Sequence, residues 1–548
     1  MKQRITYVVE KPDEFSPDQL SVENSGSSGA RFLLKGVKAA KEHRITLGLN
    51  ELPDELSKVF QQWHELHIRW ASPKNYIATP PFTSRVSPGL HVFFTPLDST
   101  PENALCEQLH TIFSADLKCT STNESSIRLP ILSERFSMST TSQYYAFLES
   151  IKTLSDNVAS KFCKADDGYC QKLAKDLLSV TSLDIDYDTI SRAVVLTASW
   201  PTASTSEGWS ETITLPQKEA TVEIGVLSHE PNADPEDIQF GGFLTVLGQD
   251  STPKPTRFQT PTRHYPLLDT TTSPSLTPKL HPLTYTTSLS HPTGLHPTLL
   301  LTFPKPHLSP PNPSCKLHTH LTLPSYLFID KYQFSDALFL ASKNLRRLHS
   351  LAGATDLEAP DWVVPQWGSA ALFQLGLPGD DGHDHNHNHN RHNNSHNNNN
   401  TDTHTISIPL HLRYLPAAPS SHTRLPLPWP PVFWACRADE GAKMSANPFD
   451  RVHLGYEALF GPKTRFMHVQ PGGAGAVLGR QDKEVLGRGD LVEWIEVPVL
   501  DTRGAGWVEG VTVGTVIVAF LGLCWVLFGG GREGGVVKGK GKGGKKEQ

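Results

Sequence analysis

Catalytic signatures are scarce in this 548-residue chain. It has no G-x-S-x-G nucleophile turn, no G-x-x-x-x-G-K-[ST] phosphate loop and no H-E-x-x-H zinc helix. Their absence removes the commonest sequence-level routes to serine-hydrolase, P-loop and metalloprotease chemistry. Cysteine is sparse: there are seven, none in a C-x-x-C pair, which argues against a zinc ribbon or a thioredoxin-type centre. Concentrated basic charge is missing as well. The net charge is −6, and residues 529–548 alone carry six basic against two acidic side chains, so the rest is about −10. A body of that sign is a poor nucleic-acid binder, because phosphate contacts need a basic surface.

Long apolar runs are also lacking, with one exception that organises everything else. Residues 511–528 read VTVGTVIVAFLGLCWVLF, eighteen positions without a charge, preceded by apolar Trp507 and Val508. At about 1.5 Å per residue this is close to the length that crosses a hydrocarbon core. A buried soluble helix is the alternative, but three glycines, Arg532 and a Lys/Gly tail follow at once, and no core would house them. A single transmembrane helix is expected over 506–529, with a basic tail over 530–548.

No secretory leader is expected at the N-terminus, since the apolar run 5–9 is too short for one. The side of the membrane is read from three features. The flank after the span is basic, whereas residues 491–510 hold Arg503 against Glu493, Glu496, Asp501 and Glu509, which places the C-terminus in the cytosol. The end, Lys545-Lys546-Glu547-Gln548, resembles a dilysine retrieval signal of endoplasmic-reticulum membrane proteins. Asn123, Asn393 and Asn399 head candidate N-glycosylation tripeptides. Together these predict a lumenal body. Outside the span, Cys106, Cys119, Cys163, Cys170, Cys315 and Cys436 are an even number suited to disulfides, with fifteen pairings open and free buried thiols the alternative.

Residues 1–250 read as a mixed α/β region. Strands are expected at 4–10, 89–98, 193–201, 220–228 and 240–249, and helices over 51–63 and 143–162. Fourteen prolines between 251 and 314 exclude long helices, and a linker is assigned to 251–294. The stretch 295–505 reads as β-rich, with alternation at 316–334 and 405–415, further strands at 428–436 and 491–500, and one helix over 336–348. A His/Asn insert at 380–404 has too little apolar content to bury anything. The expected fold class is an α+β N-terminal region and a β-sandwich-like second domain, with one C-terminal transmembrane helix.

Several residue groups are weighed as sites. His383, His385, His387, His389 and His392 could hold zinc or copper weakly, but nothing fixes their geometry. Asp184 and Asp186 form a D-x-D of the kind that clamps a metal–nucleotide-sugar, although no nucleotide-binding βαβ pattern surrounds it, and a polar strand face is the stronger reading. His318 and His320 would share one face of a strand without a third ligand nearby. No catalytic, cofactor-binding or metal residue is assigned, and no cofactor is expected.

At 316–334 and 406–467 the sequence becomes specific. LTLPSYLFIDKYQF, IPLHLRYLPAAPS, PPVFWAC and NPFDRVHLGYEALFGPKTRF resemble the PIG-X family, auxiliary subunits of glycosylphosphatidylinositol (GPI) mannosyltransferase I. The opening QRITYVV and the long N-terminal region are similar to its fungal branch, the protease-B-nonderepressible proteins. The resemblance implies a non-catalytic membrane protein of the endoplasmic reticulum, lumenal in body and without a cleaved leader. It implies a multi-spanning catalytic partner, which adds the first mannose to the GPI precursor and which this chain stabilises. A broader lumenal chaperone role is the alternative reading. Within the span, Gly514, Ala519, Gly522 and Cys524 would permit close helix approach. Tyr326, Phe328, Phe449 and Tyr456 are contact-anchor candidates, with burial in the core the commoner fate.

Overall fold

Alternating apolar and polar residues in the first 260 positions build one large, mostly antiparallel sheet. In the computed structural model its eleven strands run Thr256–Pro261, Gln239–Leu247, Thr221–Glu230, Lys2–Val9, Ala39–Gly48, Ala193–Trp200, Ser182–Asp188, Trp63–Ala71, Gly89–Pro96, Ser142–Ala146 and Ile127–Arg128. The structure describes residues 1–529 apart from 10–14, 26–28, 77–81, 83, 98–100, 102, 131–141, 164–165, 216–219, 231–238, 249–255, 262–263, 267–282, 291–293, 380–401, 438–450, 462 and 473–488. Lys2–Val9 pairs in parallel with Thr221–Glu230, a neighbour more than two hundred residues away, and antiparallel with Ala39–Gly48.

One face of the central strands carries the main apolar core. Leu66, Ile68 and Trp70 point into it from Trp63–Ala71, and Leu90, Val92 and Phe94 from Gly89–Pro96. Helix Ala104–Ile112 buries Leu105 and Leu109 in the same core, and Leu154 of helix Lys152–Asn157 joins them. A smaller core gathers Ile5, Tyr7, Val222 and Ile224 against a three-stranded sheet, Leu20–Ser25, Gly29–Val37 and Trp209–Ile213.

The second region is sheet-rich as well. A six-stranded sheet orders His264–Pro266, Thr464–His468, Val432–Arg437, Lys316–Pro324, Gly368–Leu375 and Leu345–Gly353, and a four-stranded sheet orders Thr403–Pro409, Thr298–Pro304, Thr284–Leu289 and Gln470–Pro471. Strict alternation marks Thr298–Pro304, which buries Leu299, Leu301 and Phe303 and leaves the residues between them part-exposed. Residues 1–415 and 425–495 group into a single compact unit. Trp367 shows how the two regions meet within it: its indole N–H donates to the Gln143 carbonyl at 2.9 Å and its ring packs edge-on against Tyr145.

The expected fold class holds: the described residues are sheet-rich, with few helices and one long apolar C-terminal helix. Three local expectations need correction. Residues 143–162 are not one helix; Ser142–Ala146 is a strand on Gly89–Pro96, because the Tyr144-Tyr145 aromatics fit a pleated, buried surface, and only the second half is helical, as Lys152–Asn157 continued by the π-helical Val158–Phe162. The 336–348 helix is only Ala337–Ser342, capped by Asp336, and it stops where Asn344 turns left-handed at φ 57°. The 51–63 helix shrinks to Asp54–Phe60, and Trp63 already belongs to a strand.

Residues 416–424 and 496 onward form a second unit. There the Thr502 N–H donates to the Ala418 carbonyl (3.0 Å) and the Val499 N–H to the Ser421 carbonyl (2.9 Å). Asp501 caps the turn Thr502–Gly504, from which the 25-residue helix Ala505–Gly529 departs. Its side chains are bare of protein cover, with Trp525 and Phe528 76% and 82% exposed. Thr512 and Thr515 satisfy their hydroxyls on the carbonyls of Val508 and Val511, four residues back, as a helix in lipid requires.

Candidate functional site

On Trp63–Ala71 the residues between the core-facing ones are Glu65, His67 and Arg69, so a strand of period two presents one charged face. Ser182–Asp188 does the same with Asp184 and Asp186, and the register sets Arg69 opposite Asp184 and His67 opposite Asp186. Ala39–Gly48 and Ala193–Trp200 bring Glu42 and Ser199 to the same side, opposite each other. A charged sheet face is ordinarily wet. This one is not: Glu42, Glu65, Arg69 and Asp184 are each at most 4% exposed.

The cover comes from far along the chain. Arg451 places its Nε 2.8 Å from Asp184 Oδ2, and its Nη2 donates to Glu42 Oε2 at 2.9 Å and to Ser199 Oγ at 3.0 Å. Arg69 lies 3.9 Å from Asp184 and 3.7 Å from Asp186. His67 Nδ1 is 2.9 Å from Asp186 Oδ1. Two residues beyond Arg451, the His453 ring stacks on His67 with centroids 3.7 Å apart, on a backbone in the left-handed region at φ 60°. Gly455, at φ 91°, then passes close to His320 and Phe93, where a side chain would crowd. Tyr456 lies flat on Phe433 at 4.2 Å, its hydroxyl 2.5 Å from His468 Nε2.

Burial and charge compete across this cluster. Burial drives the Asp184 carboxyl above its usual range, and the Arg69 and Arg451 charges offset this only in part. At Asp186 burial pushes the same way, but the His67 hydrogen bond and the Arg69 charge outweigh it and hold the carboxyl low. Arg451 loses hydration, yet Asp184 and Glu42 keep its guanidinium firmly protonated. Such a buried network is destabilised far more by losing one partner than it gains from being formed. It serves as a clasp between the 451–456 segment and the N-terminal sheet.

A second arginine fastens another of the sequence blocks. Arg413 donates to three carbonyls, Ala359 (2.8 Å), Ser325 (3.0 Å) and Ala354 (3.2 Å), and its guanidinium covers the Phe328 ring at 4.5 Å. The Tyr326 hydroxyl donates to the Pro426 carbonyl. Three disulfides, Cys106–Cys119, Cys163–Cys170 and Cys315–Cys436, account for the six cysteines outside the helix. The last joins the neighbourhood of Lys316–Pro324 to Val432–Arg437, across 121 residues.

The residues singled out in the sequence are placed as follows. Asp184 and Asp186 share a strand face, and arginine and histidine side chains engage both carboxylates. His318 and His320 also share a face; burial lowers them to about 4 and about 3, His318 bonds the Lys316 carbonyl, and His320 packs on Tyr456. Phe328 and Tyr456 are core residues, and Tyr326 is part-exposed. Gly514, Ala519, Gly522 and Cys524 lie on the long apolar helix. Asn123 is exposed in the short helix Thr122–Ser125. Asn393, Asn399, Phe449, Lys545, Lys546 and the tract histidines lie outside the described residues. Sequence reasoning missed Arg451, His453, Glu65, His67 and Arg69. A signal existed in the complementary period-two patterns Glu65-x-His67-x-Arg69 and Asp184-x-Asp186, but only a known register aligns them.

A sheet-rich, disulfide-braced body whose Asp184 and Asp186 are engaged by arginine and histidine, and, among the described residues, one apolar helix long enough to cross a bilayer, are the features of a membrane-anchored protein. The PIG-X / PBN1 family model matches residues 292–528. Over nearly its whole length the chain is also similar to curated proteins called Protein pbn1. Identity is 40% with that of Emericella nidulans (96% of this chain, 95% of the relative) and 36% with that of Neurospora crassa (96% and 95%). Similarity to the Saccharomyces cerevisiae PBN1 protein is 30% over 34% of this chain and 36% of the relative. The chain belongs to the PIG-X / PBN1 family.

Proposed function

We propose that this chain is the non-catalytic, stabilising subunit of GPI mannosyltransferase I in the endoplasmic-reticulum membrane. Its partner is the multi-spanning catalytic subunit, which transfers the first mannose to the GPI-anchor precursor. The observation that carries the reading is the near full-length similarity to Pbn1 proteins. The fate of the charged residues supports it: Asp184 and Asp186, the pair most like a metal–nucleotide clamp, are engaged by Arg451, Arg69 and His67. One apolar helix cannot by itself enclose a lipid-linked sugar donor, so the chemistry falls to a partner with several spans.

The body is lumenal in this reading and the basic end cytosolic, with Lys545 and Lys546 as the retrieval signal and Asn123, Asn393 and Asn399 as glycan acceptors. Three disulfides favour an oxidising compartment. Depletion of this chain is expected to lower the abundance of the catalytic subunit and to let the unmannosylated precursor accumulate. Normal partner levels with normal mannosylation would refute the subunit reading. Loss of many unrelated lumenal proteins, uncorrected by overproducing the catalytic subunit, would point instead to a general chaperone.

A further inference from the structure

Beside the Arg451 clasp, Glu65, His67 and His453 bring three donor atoms within 4.8 Å of one another. Two of those side chains are at least nine-tenths buried and carry polar atoms with no hydrogen-bond partner: Glu65 Oε2 and His67 Nε2, which lie 3.9 Å apart. The hydrogen bond to Asp186 places a proton on Nδ1 of His67, because a carboxylate can only accept. Nε2, on the other side of the ring, faces Glu65 Oε2, and neither atom has a hydrogen-bond partner. A buried imidazole nitrogen and carboxylate oxygen left facing each other without partners ask for a shared proton or cation between them.

We propose that Glu65, His67 and His453 bind a divalent transition-metal ion of the zinc type, which ties the 451–456 segment to the N-terminal sheet.

Two imidazole nitrogens and one carboxylate oxygen are a donor set zinc takes with three protein ligands. Ligand atoms about 2.0–2.1 Å from zinc lie roughly 3.3 Å from each other, so separations of 3.9 Å between Glu65 and His67 and up to 4.8 Å within the trio must close by about 1 Å. The Asp186 contact to His67 Nδ1 is the outer carboxylate that orients metal-bound histidines. Charge is compatible: Glu65 itself and Asp186, hydrogen-bonded to His67, put two carboxylates at the three donors, with the Arg69 guanidinium 3.7 Å from Asp186. His453 is held left-handed, a backbone a non-glycine residue keeps only when its surroundings demand it. The stacked rings must splay for their lone pairs to converge, and His453, part-exposed on its loop, is the one placed to turn.

The test uses the full-length chain in detergent, with the tract histidines 383, 385, 387, 389, 392 and 396 changed to Asn so that the insert cannot contribute. About one zinc per chain is expected after purification by elemental analysis. Replacement by Co²⁺ should give visible d–d absorption of a four-coordinate site. His453→Asn keeps a side chain tolerant of the left-handed backbone and Glu65→Gln keeps shape; each should weaken Co²⁺ binding at least about tenfold and abolish that absorption, with the near-ultraviolet circular dichroism of the folded body retained. Absence of stoichiometric metal and of a Co²⁺ spectrum in the parent chain would overturn the proposal, and so would an unchanged spectrum in either folded variant. The parent measurement does not depend on any variant folding.

Discussion

Arg451 shows what one side chain can do when it is inserted between two buried carboxylates. Arg451→Met keeps most of the volume and removes the charge, leaving Glu42 and Asp184 without their nearest cation. A loss of about 3–5 kcal/mol at neutral pH is expected, measured by denaturant unfolding of the full chain in detergent. The penalty should shrink on acidification, because carboxyls whose folded pKa has risen take up protons in the native state before the unfolded one does. A penalty equal at pH 7.5 and 5.5 would count against uncompensated carboxylates as its cause. The buried histidines have the opposite sign. Burial lowers His43 and His320 to about 3 and His91 and His318 to about 4. The unfolded chain therefore binds protons from about pH 6.5 downward that the folded state refuses, and stability falls as pH falls. Each contributes up to about 2 kcal/mol of loss between pH 7 and 5. Glu65, Asp176, Asp184 and Glu493, raised by burial, work the other way, but His349, His404, His411 and His453 are lowered as well, so the histidines outnumber them. Unfolding midpoints that are flat or rising toward pH 5 would contradict this account.

Elements were legible where one period dominated. Alternation located Lys316–Pro324 and Thr403–Pro409, the β-prone run at 193–201 located Ala193–Trp200, and the charge-free run located the C-terminal helix. It failed where apolar spacing was ambiguous: Tyr144, Tyr145, Leu148 and Leu154 fit a helical pattern, yet the tyrosines serve a strand because Gly89–Pro96 lies beside them. Strand pairing across the chain is enforced at points the sequence does not advertise. A Cβ on Gly368 would lie 2.0 Å from the Leu323 carbonyl, at φ 150°, so Gly368→Ala should disrupt the Lys316–Pro324 pairing and cost about 2–4 kcal/mol. Thermal unfolding of the variant checks this; a midpoint within a degree of the parent would show that the strands can part cheaply there. The Cys315–Cys436 bridge closes a loop long enough that its removal by a double Ser substitution should cost about 5 kcal/mol in the chain-entropy account. The double variant's unfolding midpoint under oxidising conditions measures it, and an unaltered midpoint would argue against that pairing.

For the whole molecule, the consequential question is which compartment holds the folded body. If it is lumenal, protease added to sealed microsomes should spare everything before residue 505 and remove only the basic end, and Asn123→Gln should increase mobility by one glycan on a gel. Digestion of the body in intact vesicles would end the subunit reading along with the topology. The two regions are closely joined: Trp367 on Gln143, the Leu491 N–H on the Pro73 carbonyl at 2.5 Å, and Arg451 in the sheet all tie late residues to early ones. Truncating the N-terminal 250 residues should therefore leave an insoluble remainder, because it would strip the partners from Arg451 and bare the polar and aromatic faces that this region covers.

The sequence by itself determined the membrane helix, the fold class and the family, because these rest on local quantities: a run without charge, alternation at period two, and blocks of specific residues. Tertiary structure alone decided which cysteines meet, that the Asp184–Asp186 pair turns inward to an arginine, and that Glu65, His67 and His453 share a site. Strand register and long-range pairing fix those outcomes, and they arise from contacts between segments up to several hundred residues apart that no window along the chain contains.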